Sequence, residues 1–261
     1  MSLLTNSLLL VLREILEAAI LLGLLWNYTN FRQLSMQWLW WAAPIALGLS
    51  LLYANNLGAL TDLFDGSGQE LLSASLHVLV YVPVLALVAG IYGGLSSPLA
   101  EKIMSIVLIA AAVREGSEVL IYLGAFTQAE TQRNTVLLGA FIGAGIGISA
   151  GVLVSALIHN LSRHVAILLV GVLLSFVAAG MMMQGVSLLD QVGLIPYSAA
   201  VYSTEWLVPE RSILGQLIYA VFGYDSEPTW LQMGLYLTCL ALALALLFNA
   251  RKIHGGRNET H

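Results

Sequence analysis

Apolar runs of about 20 residues recur along the whole chain and are separated by short polar segments. An α-helix needs about this length to cross the hydrocarbon core of a bilayer. The pattern therefore predicts an all-α polytopic membrane protein with seven transmembrane helices. These helices are predicted near residues 4–27, 38–58, 70–93, 102–125, 135–158, 165–186 and 230–249.

Two of the predicted helices carry charged residues in the middle of their apolar runs. Residues 13–17 and 114–118 read Arg-Glu-Ile-Leu-Glu and Arg-Glu-Gly-Ser-Glu, which are two copies of the pattern Arg-Glu-x-x-Glu. A charge at the centre of a membrane helix costs about 2.5 to 3.5 kcal/mol, so six unpaired charges would cost on the order of 15 to 20 kcal/mol. The six side chains must therefore face one another, water or a bound ion.

Each copy of the motif places its charges on one face of its helix. With about 3.6 residues per turn, Glu14 and Glu17 lie about 60° apart, and Arg13 lies about 40° from Glu17. Arg13 is therefore expected to pair with Glu17 across one turn. The same relations hold in the second copy for Arg114, Glu115 and Glu118. Bringing the two faces together would collect four carboxylates and two guanidiniums, with a net charge of −2 when all are ionised.

The composition agrees with a membrane protein and limits the kinds of site it can hold. Hydrophobic residues make up 59% of the chain and charged residues 10%, against the roughly 25% charged that is typical of soluble domains. Cys239 is the single cysteine, which excludes an intrachain disulfide and a cysteine-based metal cluster. Oxygen ligands remain in quantity. No nucleic-acid partner and no enzymatic activity are predicted.

The basic residues outside the predicted helices give an orientation. Six of them fall on the side of the C-terminus, and only Arg133 and Arg211 fall on the side of the N-terminus. The six are Arg32, Lys102, Arg163, Arg251, Lys252 and Arg257. Because basic residues favour the cytoplasmic side, the C-terminus is predicted to be cytoplasmic and the N-terminus external.

This topology makes the two motif helices antiparallel and suggests a 3+3 inverted repeat plus a C-terminal helix. Many transporters have such a plan, with the substrate bound at the midplane where the repeats meet. The predicted organisation is one transmembrane domain over residues 1–250 and a cytoplasmic tail over 251–261. The domain consists of repeat 1 (about 3–93), repeat 2 (about 102–186), an external loop (187–229) and a last helix (230–249). Within the loop, residues 213–223 are expected to form a short interfacial or re-entrant helix that ends at Gly223.

The ligand types favour a hard metal cation. Carboxylate oxygens prefer hard ions, and no Cys or His lies near either motif to indicate a soft or imidazole-selective site. A ferric ion is the hardest abundant candidate, while ferrous and manganous ions stay open. Helix-to-helix ion pairs that only assemble the bundle are the structural alternative.

Motifs of this form in the first and fourth helices of a seven-helix chain resemble the oxidase-dependent iron permease family. This family includes the fungal high-affinity ferric permease and bacterial EfeU-like permeases. Further likeness to the bacterial branch lies in residues 69–71 (Gln-Glu-Leu), 176–180 (Phe-Val-Ala-Ala-Gly) and 222–224 (Phe-Gly-Tyr). The likeness covers nearly the whole chain.

The resemblance implies iron uptake, commonly of ferric ion delivered by an external oxidase or iron-binding partner. Iron would be the substrate, no cofactor would be permanently bound, and the protein would lie in the bacterial inner membrane, with homo-oligomerisation open. The family motif usually reads Arg-Glu-Gly-Leu-Glu, so Ile15 and Ser117 are departures that leave the ligand set intact. The His-Glu pair that follows the sixth helix in EfeU-like chains is replaced here by Asp190-Gln191.

The sequence thus predicts a metal site of Glu14, Glu17, Glu115 and Glu118, with Arg13 and Arg114 as charge partners. Candidates for the ion's route or for a relay are Glu70, His77 and Asp190. A helix-terminal acid and a packed histidine are the structural alternatives for Glu70 and His77. Two functional alternatives stay open. One is transport of another divalent cation, ferrous, manganous or lead, and the other is proton-coupled transport of a solute.

Overall fold

The chain folds into long helices in a computed structural model that describes residues 2–126, 130–195, 198–209 and 212–254. The helices are α1 (Leu3–Phe31), α2 (Gln37–Asn55), α3 (Leu57–Thr61), α4 (Gly68–Gly90), α5 (Ser97–Ala125), α6 (Glu130–His159), α7 (Arg163–Gln191), α8 (Ile213–Phe222) and α9 (Trp230–His254). Over these described ranges, β-structure is limited to one isolated bridge between Ala200 and Thr229. The all-α prediction is confirmed.

Within the described part of the chain, four helices are long and apolar enough to cross a membrane by length and composition. They are Gly68–Gly90, Gln132–His159, Arg163–Gln191 and Trp230–Ile253. Helices α1 and α5 are longer still than α4, at 29 residues each, but the charged motifs interrupt their apolar runs. The seven-helix topology and the orientation stay predictions, and Arg211 and the predicted tail beyond His254 lie outside the described residues.

Several helix ends differ from the sequence-based boundaries. Helix α7 continues to Gln191, so the segment predicted to be an external loop from residue 187 begins five residues later. Asp190 consequently lies in the last turn of a helix and not in a loop. The short helix predicted near residues 213–223 is confirmed as α8. Gly223 ends it in the left-handed conformation, at φ 64°, and its N–H donates to Tyr219 O.

Each motif helix packs against the second long helix of the other predicted repeat. Helix α1 lies along α6, and α5 lies along α2. Helix α4 packs against both α5 and α7, and α9 covers α7 from the outside. The short helix α8 contacts α1 and α7. The two motif helices therefore cross each other in the middle of the bundle.

Glycines of α6 allow α1 to approach closely. Gly139, Gly143, Gly147 and Gly151 are spaced four residues apart and all face α1. A Cβ atom would lie 2.4 Å from Leu8 O at Gly143 and 2.6 Å from the Ala19 Cβ at Gly151. Small residues in such a row let membrane helices pack backbone to backbone. This row is therefore the surface of α6 that packs against α1.

The contact between α7 and α8 depends on a pair of glycines. A Cβ atom at Gly223 would lie 2.3 Å from Gly180 Cα, so the two backbones touch. We expect Gly223→Ala to destabilise the protein by about 1 to 3 kcal/mol through overpacking, in addition to the left-handed backbone cost of about 1 to 2 kcal/mol. Thermal unfolding of the purified protein in detergent measures this loss.

Gly193→Ala is the matched control. Gly193 also has a positive φ, 71°, but an added Cβ would meet nothing within 4 Å. The Gly193→Ala variant should therefore lose only the stability that corresponds to the left-handed backbone cost. Equal losses of stability in the two variants would contradict a close packing role for Gly223.

Candidate metal-binding site

The two charged motifs meet where α1 and α5 cross. Arg13 faces Glu118 and Glu17 faces Arg114, so residue numbers rise along one helix as they fall along the other. The two motifs therefore run antiparallel at this point, as the sequence predicts. All six charged side chains belong to one cluster.

Arg114 is the centre of this cluster. Its Nη1 atom lies 2.5 Å from Glu115 Oε1 and 3.3 Å from Glu17 Oε2. The same atom is 3.9 Å from Glu14 Oε2, and Nη2 is 3.3 Å from Glu118 Oε1. One guanidinium, whose side chain is 8% exposed, thus contacts all four glutamates.

Arg13 has fewer partners and lies closer to solvent. Its Nη2 atom is 2.5 Å from Glu14 Oε1 and 3.6 Å from Glu118 Oε2, and its Nε donates to Glu14 Oε1 at 2.7 Å. The guanidinium carbon lies 5.6 Å from the ring centroid of Tyr219 in α8, a cation–π distance. Helix α8 therefore contacts the charged cluster directly.

The expected pairing of Arg13 with Glu17 inside one helix is wrong. Glu17 instead accepts from Arg114 of the other helix, at 3.3 Å. The corresponding pair of the second copy, Arg114 with Glu118, does form. The two copies differ because the buried Arg114 reaches across the helix crossing, while Arg13 turns towards the exposed edge.

The cluster is buried at one end and open at the other. The side chains of Glu14, Glu17 and Glu115 are 0 to 3% exposed, whereas Arg13 and Glu118 are 31% and 29% exposed. The exposed pair lies towards the N-terminal end of α1 and the C-terminal end of α5. The exposed pair is therefore the part of the cluster nearest the N-terminus of α1.

Three carboxylate oxygens of the cluster are buried without a hydrogen-bond partner in the described part of the chain. They are Glu14 Oε2, Glu17 Oε1 and Glu115 Oε2. Buried polar atoms are nearly always paired, because the lost hydration is otherwise uncompensated. Each of them is an acceptor without a hydrogen-bond donor among the described residues, although Glu14 Oε2 lies 3.9 Å from Arg114 Nη1.

The four glutamates do not form a ready-made cage in this arrangement. Among the described residues, no three His, Cys, Asp or Glu side chains are placed so that they could hold a metal ion together. The arginines account for this, because each glutamate has at least one oxygen turned towards a guanidinium. Coordination of an ion would require carboxylates to exchange arginine contacts for ion contacts.

Sequence reasoning missed Gln184, which joins the cluster from α7. Gln184 Nε2 donates to Glu17 Oε2 at 3.3 Å. His77 Nε2 lies 3.0 Å from Gln184 Oε1, and His77 Nδ1 lies 2.7 Å from Ser73 O. The candidate His77 is therefore one side chain removed from the glutamates. The available signal was a lone glutamine within the apolar run of residues 165–186.

The other two candidates lie further away. Glu70 is in the first turn of α4, and its Oε2 is also buried without a partner in the described structure. It shares a face of α4 with Ser73, whose hydroxyl lies 3.3 Å from Tyr53 OH, and with His77. Asp190 lies six residues beyond Gln184, about 9 Å along the helix axis. The structure does not bring Asp190 into the cluster.

The two departures from the usual motif have local explanations in packing. Ile15 stands where glycine is usual, and Gly147 of α6 faces it: a Cβ atom there would lie 3.1 Å from Ile15 Cγ2. In the second copy the glycine belongs to the motif itself. Gly116 faces Ser50 of α2, whose Oγ would lie 2.9 Å from an added Cβ. Ser117 Oγ donates to Arg114 O at 2.8 Å, so it fills space and does not point a free oxygen at the glutamates.

A comparison with protein families matches residues 99–256 to the iron permease FTR1 family. The match covers more than half of the chain. The chain belongs to the iron permease FTR1 family. Comparison with curated proteins and with solved structures finds no match.

The matched segment contains the second charged motif but not the first. It runs from the start of α5 to the end of α9, and so includes Arg114, Glu115, Glu118 and Gln184. The resemblance seen in the sequence is thereby confirmed for the half that carries the more deeply buried arginine. An iron permease of this family is a membrane transporter of a metal ion.

Replacing the two arginines separately tests how the charges are balanced. Arg114→Gln should lower the free energy of unfolding by on the order of 3 to 5 kcal/mol, because it leaves buried carboxylates without their cation. Arg13→Gln should cost less, since Arg13 contacts Glu14 and Glu118 and both of these glutamates keep their contact with Arg114. Thermal unfolding in detergent compares the two. An equal or larger loss for Arg13→Gln would contradict the central role of Arg114.

Proposed function

We propose that this iron permease carries ferric ion into the cell through a midplane site formed by Glu14, Glu17, Glu115 and Glu118. Arg13 and Arg114 would be the charge partners of the site. Iron is the cargo and not a resident cofactor. The proposal takes its substrate from the family and its residues from the charged cluster.

The observation that carries the proposal is the set of three buried carboxylate oxygens without a hydrogen-bond partner in the described structure, on Glu14, Glu17 and Glu115. A cation would satisfy these acceptors, and carboxylate oxygens suit a hard ion. The cluster also has an excess of two negative charges when all six groups are ionised. A multivalent cation would offset this excess. A purely structural ion-pair network would not require an excess of carboxylates over guanidiniums.

The arginines lower the free-energy cost of burying the four carboxylates. While no ion is present, Arg114 contacts all four glutamates and reduces the cost of burying them. An arriving ion would take over some of these contacts, and the guanidinium would keep the others. Arg13 and Glu118 are the first groups that the ion would meet, because they form the exposed edge.

The helix packing supports a seven-helix inverted repeat. Helix α1 packs on α6, and α5 packs on α2. If α1, α2 and α4 form one repeat and α5, α6 and α7 form the other, each motif helix packs on the second helix of the opposite repeat, as an inverted repeat would predict. Helix α9 would be the added seventh. With an external N-terminus, the exposed edge of the cluster would face the outside. Glu70 and His77 on α4 would lie along the ion's route, with Asp190 near its mouth.

The remaining features follow the family resemblance. The protein would lie in the bacterial inner membrane and receive ferric ion from an external oxidase or iron-delivery protein. Assembly into homo-oligomers is compatible with the wide apolar outer faces of α2, α6 and α9. Lipid covers the same faces equally well.

Single substitutions test the proposed site. Glu14→Gln, Glu17→Gln, Glu115→Gln and Glu118→Gln should each reduce iron uptake by cells to background, because an amide keeps the shape but removes the ligand charge. Membrane protein levels should be unchanged. Glu101→Gln is the control, since Glu101 is on α5 but accepts from Ser35 N away from the cluster. Normal uptake in all four variants would reject the site.

Competition between ions tests the choice of cargo. In reconstituted vesicles, ferric ion should compete with labelled iron more strongly than ferrous, manganous or lead ions, because the net negative charge of the carboxylate site favours the most highly charged hard ion. A higher rank for a divalent ion would establish the alternative of a divalent-cation transporter. A proton flux with no metal dependence would point to a proton-coupled solute carrier.

A further inference from the structure

We propose that Gln184 is a positioning residue of the ion site, which holds Glu17 from α7 and is itself held by His77 from α4. This inference rests on the proposed function, because it concerns the same glutamates. It adds α4 and α7 to a site that the motifs alone confine to α1 and α5.

The contacts around Glu17 give Gln184 a specific task. Glu17 Oε2 accepts from both Arg114 Nη1 and Gln184 Nε2, each at 3.3 Å, while Oε1 is buried without a partner in the described structure. The glutamine therefore bonds one oxygen and leaves the other available. If Arg114 moves aside as an ion binds, Gln184 still holds Glu17 Oε2 and keeps Oε1 turned to the same place.

His77 fixes the direction of the Gln184 amide. Its Nε2 lies 3.0 Å from Gln184 Oε1, and Nε2 donates to this oxygen when both ring nitrogens carry a proton, because Nδ1 already donates to Ser73 O. In that state the amide oxygen points to α4 and the amide nitrogen points to Glu17. The His77 ring is itself anchored through Nδ1 to Ser73 O at 2.7 Å. Gly185 makes room for this arrangement, since an added Cβ there would lie 3.2 Å from His77 Cβ. The amide thus has a bonded partner at each end.

The four glutamates are not equivalent in this respect. Glu118, the counterpart of Glu17 in the second motif, faces both arginines and is 29% exposed, so water can hydrate it. Glu17 is 3% exposed and has one guanidinium contact. A neutral donor from a neighbouring helix is therefore useful at Glu17, where neither water nor a second arginine is available.

The alternative is that Gln184 and His77 only bond α7 to α4. Gln184→Leu removes both hydrogen bonds at similar volume, and Gln232→Leu is its matched control. Gln232 is also a buried glutamine, and it joins α9 to α7 by donating to Ser187 Oγ at 2.7 Å, away from the glutamates. The two variants should therefore cost similar stability but affect the site differently.

The experiment measures ferric citrate uptake into reconstituted vesicles, together with thermal unfolding in detergent. Gln184→Leu should raise the half-saturating iron concentration roughly tenfold or more, as expected for the loss of a hydrogen bond to a charged group. Gln232→Leu should leave it unchanged. An unchanged value in Gln184→Leu, or the same increase in both variants, would overturn the inference.

A second variant keeps the test independent of helix packing. Gln184→Glu preserves the size and the oxygen that faces His77, but places a further negative charge beside Glu17. It should alter the ranking of ferric against manganous ions, which a packing role would not move. An unaltered ranking would count against a role for Gln184 at the site.

Glu17→Gln, measured in parallel, separates the two proposals. If Glu17→Gln transports normally, the proposed ion site is wrong, and the role of Gln184 falls with it. If Glu17→Gln abolishes transport while Gln184→Leu has no effect on half-saturation, the ion site stands and only the positioning role is rejected.

Discussion

Burial of four carboxylates around one guanidinium is the constraint on which this structure depends. Arg114 is in contact with glutamates of both motif helices, and separation of these helices would leave charges uncompensated in an apolar environment. The crossing of α1 and α5 is therefore tied to the charge balance. Even with Arg13 included, two arginines leave a formal charge of −2 when all four carboxylates are ionised, which bound protons or a metal cation would offset.

Such a cluster forms only if the surrounding helices pack closely enough to exclude water from it. The glycine row of α6 brings α1 against its backbone, and Gly147 accommodates the Ile15 side chain that replaces the usual small residue of the motif. On the other side, Ser50 of α2 lies against Gly116 and donates to Ala112 O at 2.9 Å. Each motif helix is thus supported by one neighbouring helix, and each contact has a glycine on one member of the pair.

The sequence predicts what depends on local periodicity and misses what depends on helix register. The helical segments, the shared face of each motif and the antiparallel crossing follow from spacing and charge. The partner of Glu17 does not follow from them. Helical periodicity places Arg13 on the same face as Glu17, but the buried Arg114 of the other helix is the residue that contacts it. Gln184 was missed for a similar reason: a single glutamine in an apolar helix has no pattern, and only the packing of α7 against α4 brings it to Glu17.

The uneven exposure of the cluster bears on how an ion would pass. Arg13 and Glu118 are accessible at one end, whereas the opposite side of the motif on α1 is filled by packed apolar side chains, including Leu21, Leu24 and Tyr28, which are 0 to 1% exposed. An ion bound at the glutamates could leave towards that side only after these side chains move apart. Under the proposed function, the structure corresponds to the state open to the side from which iron arrives.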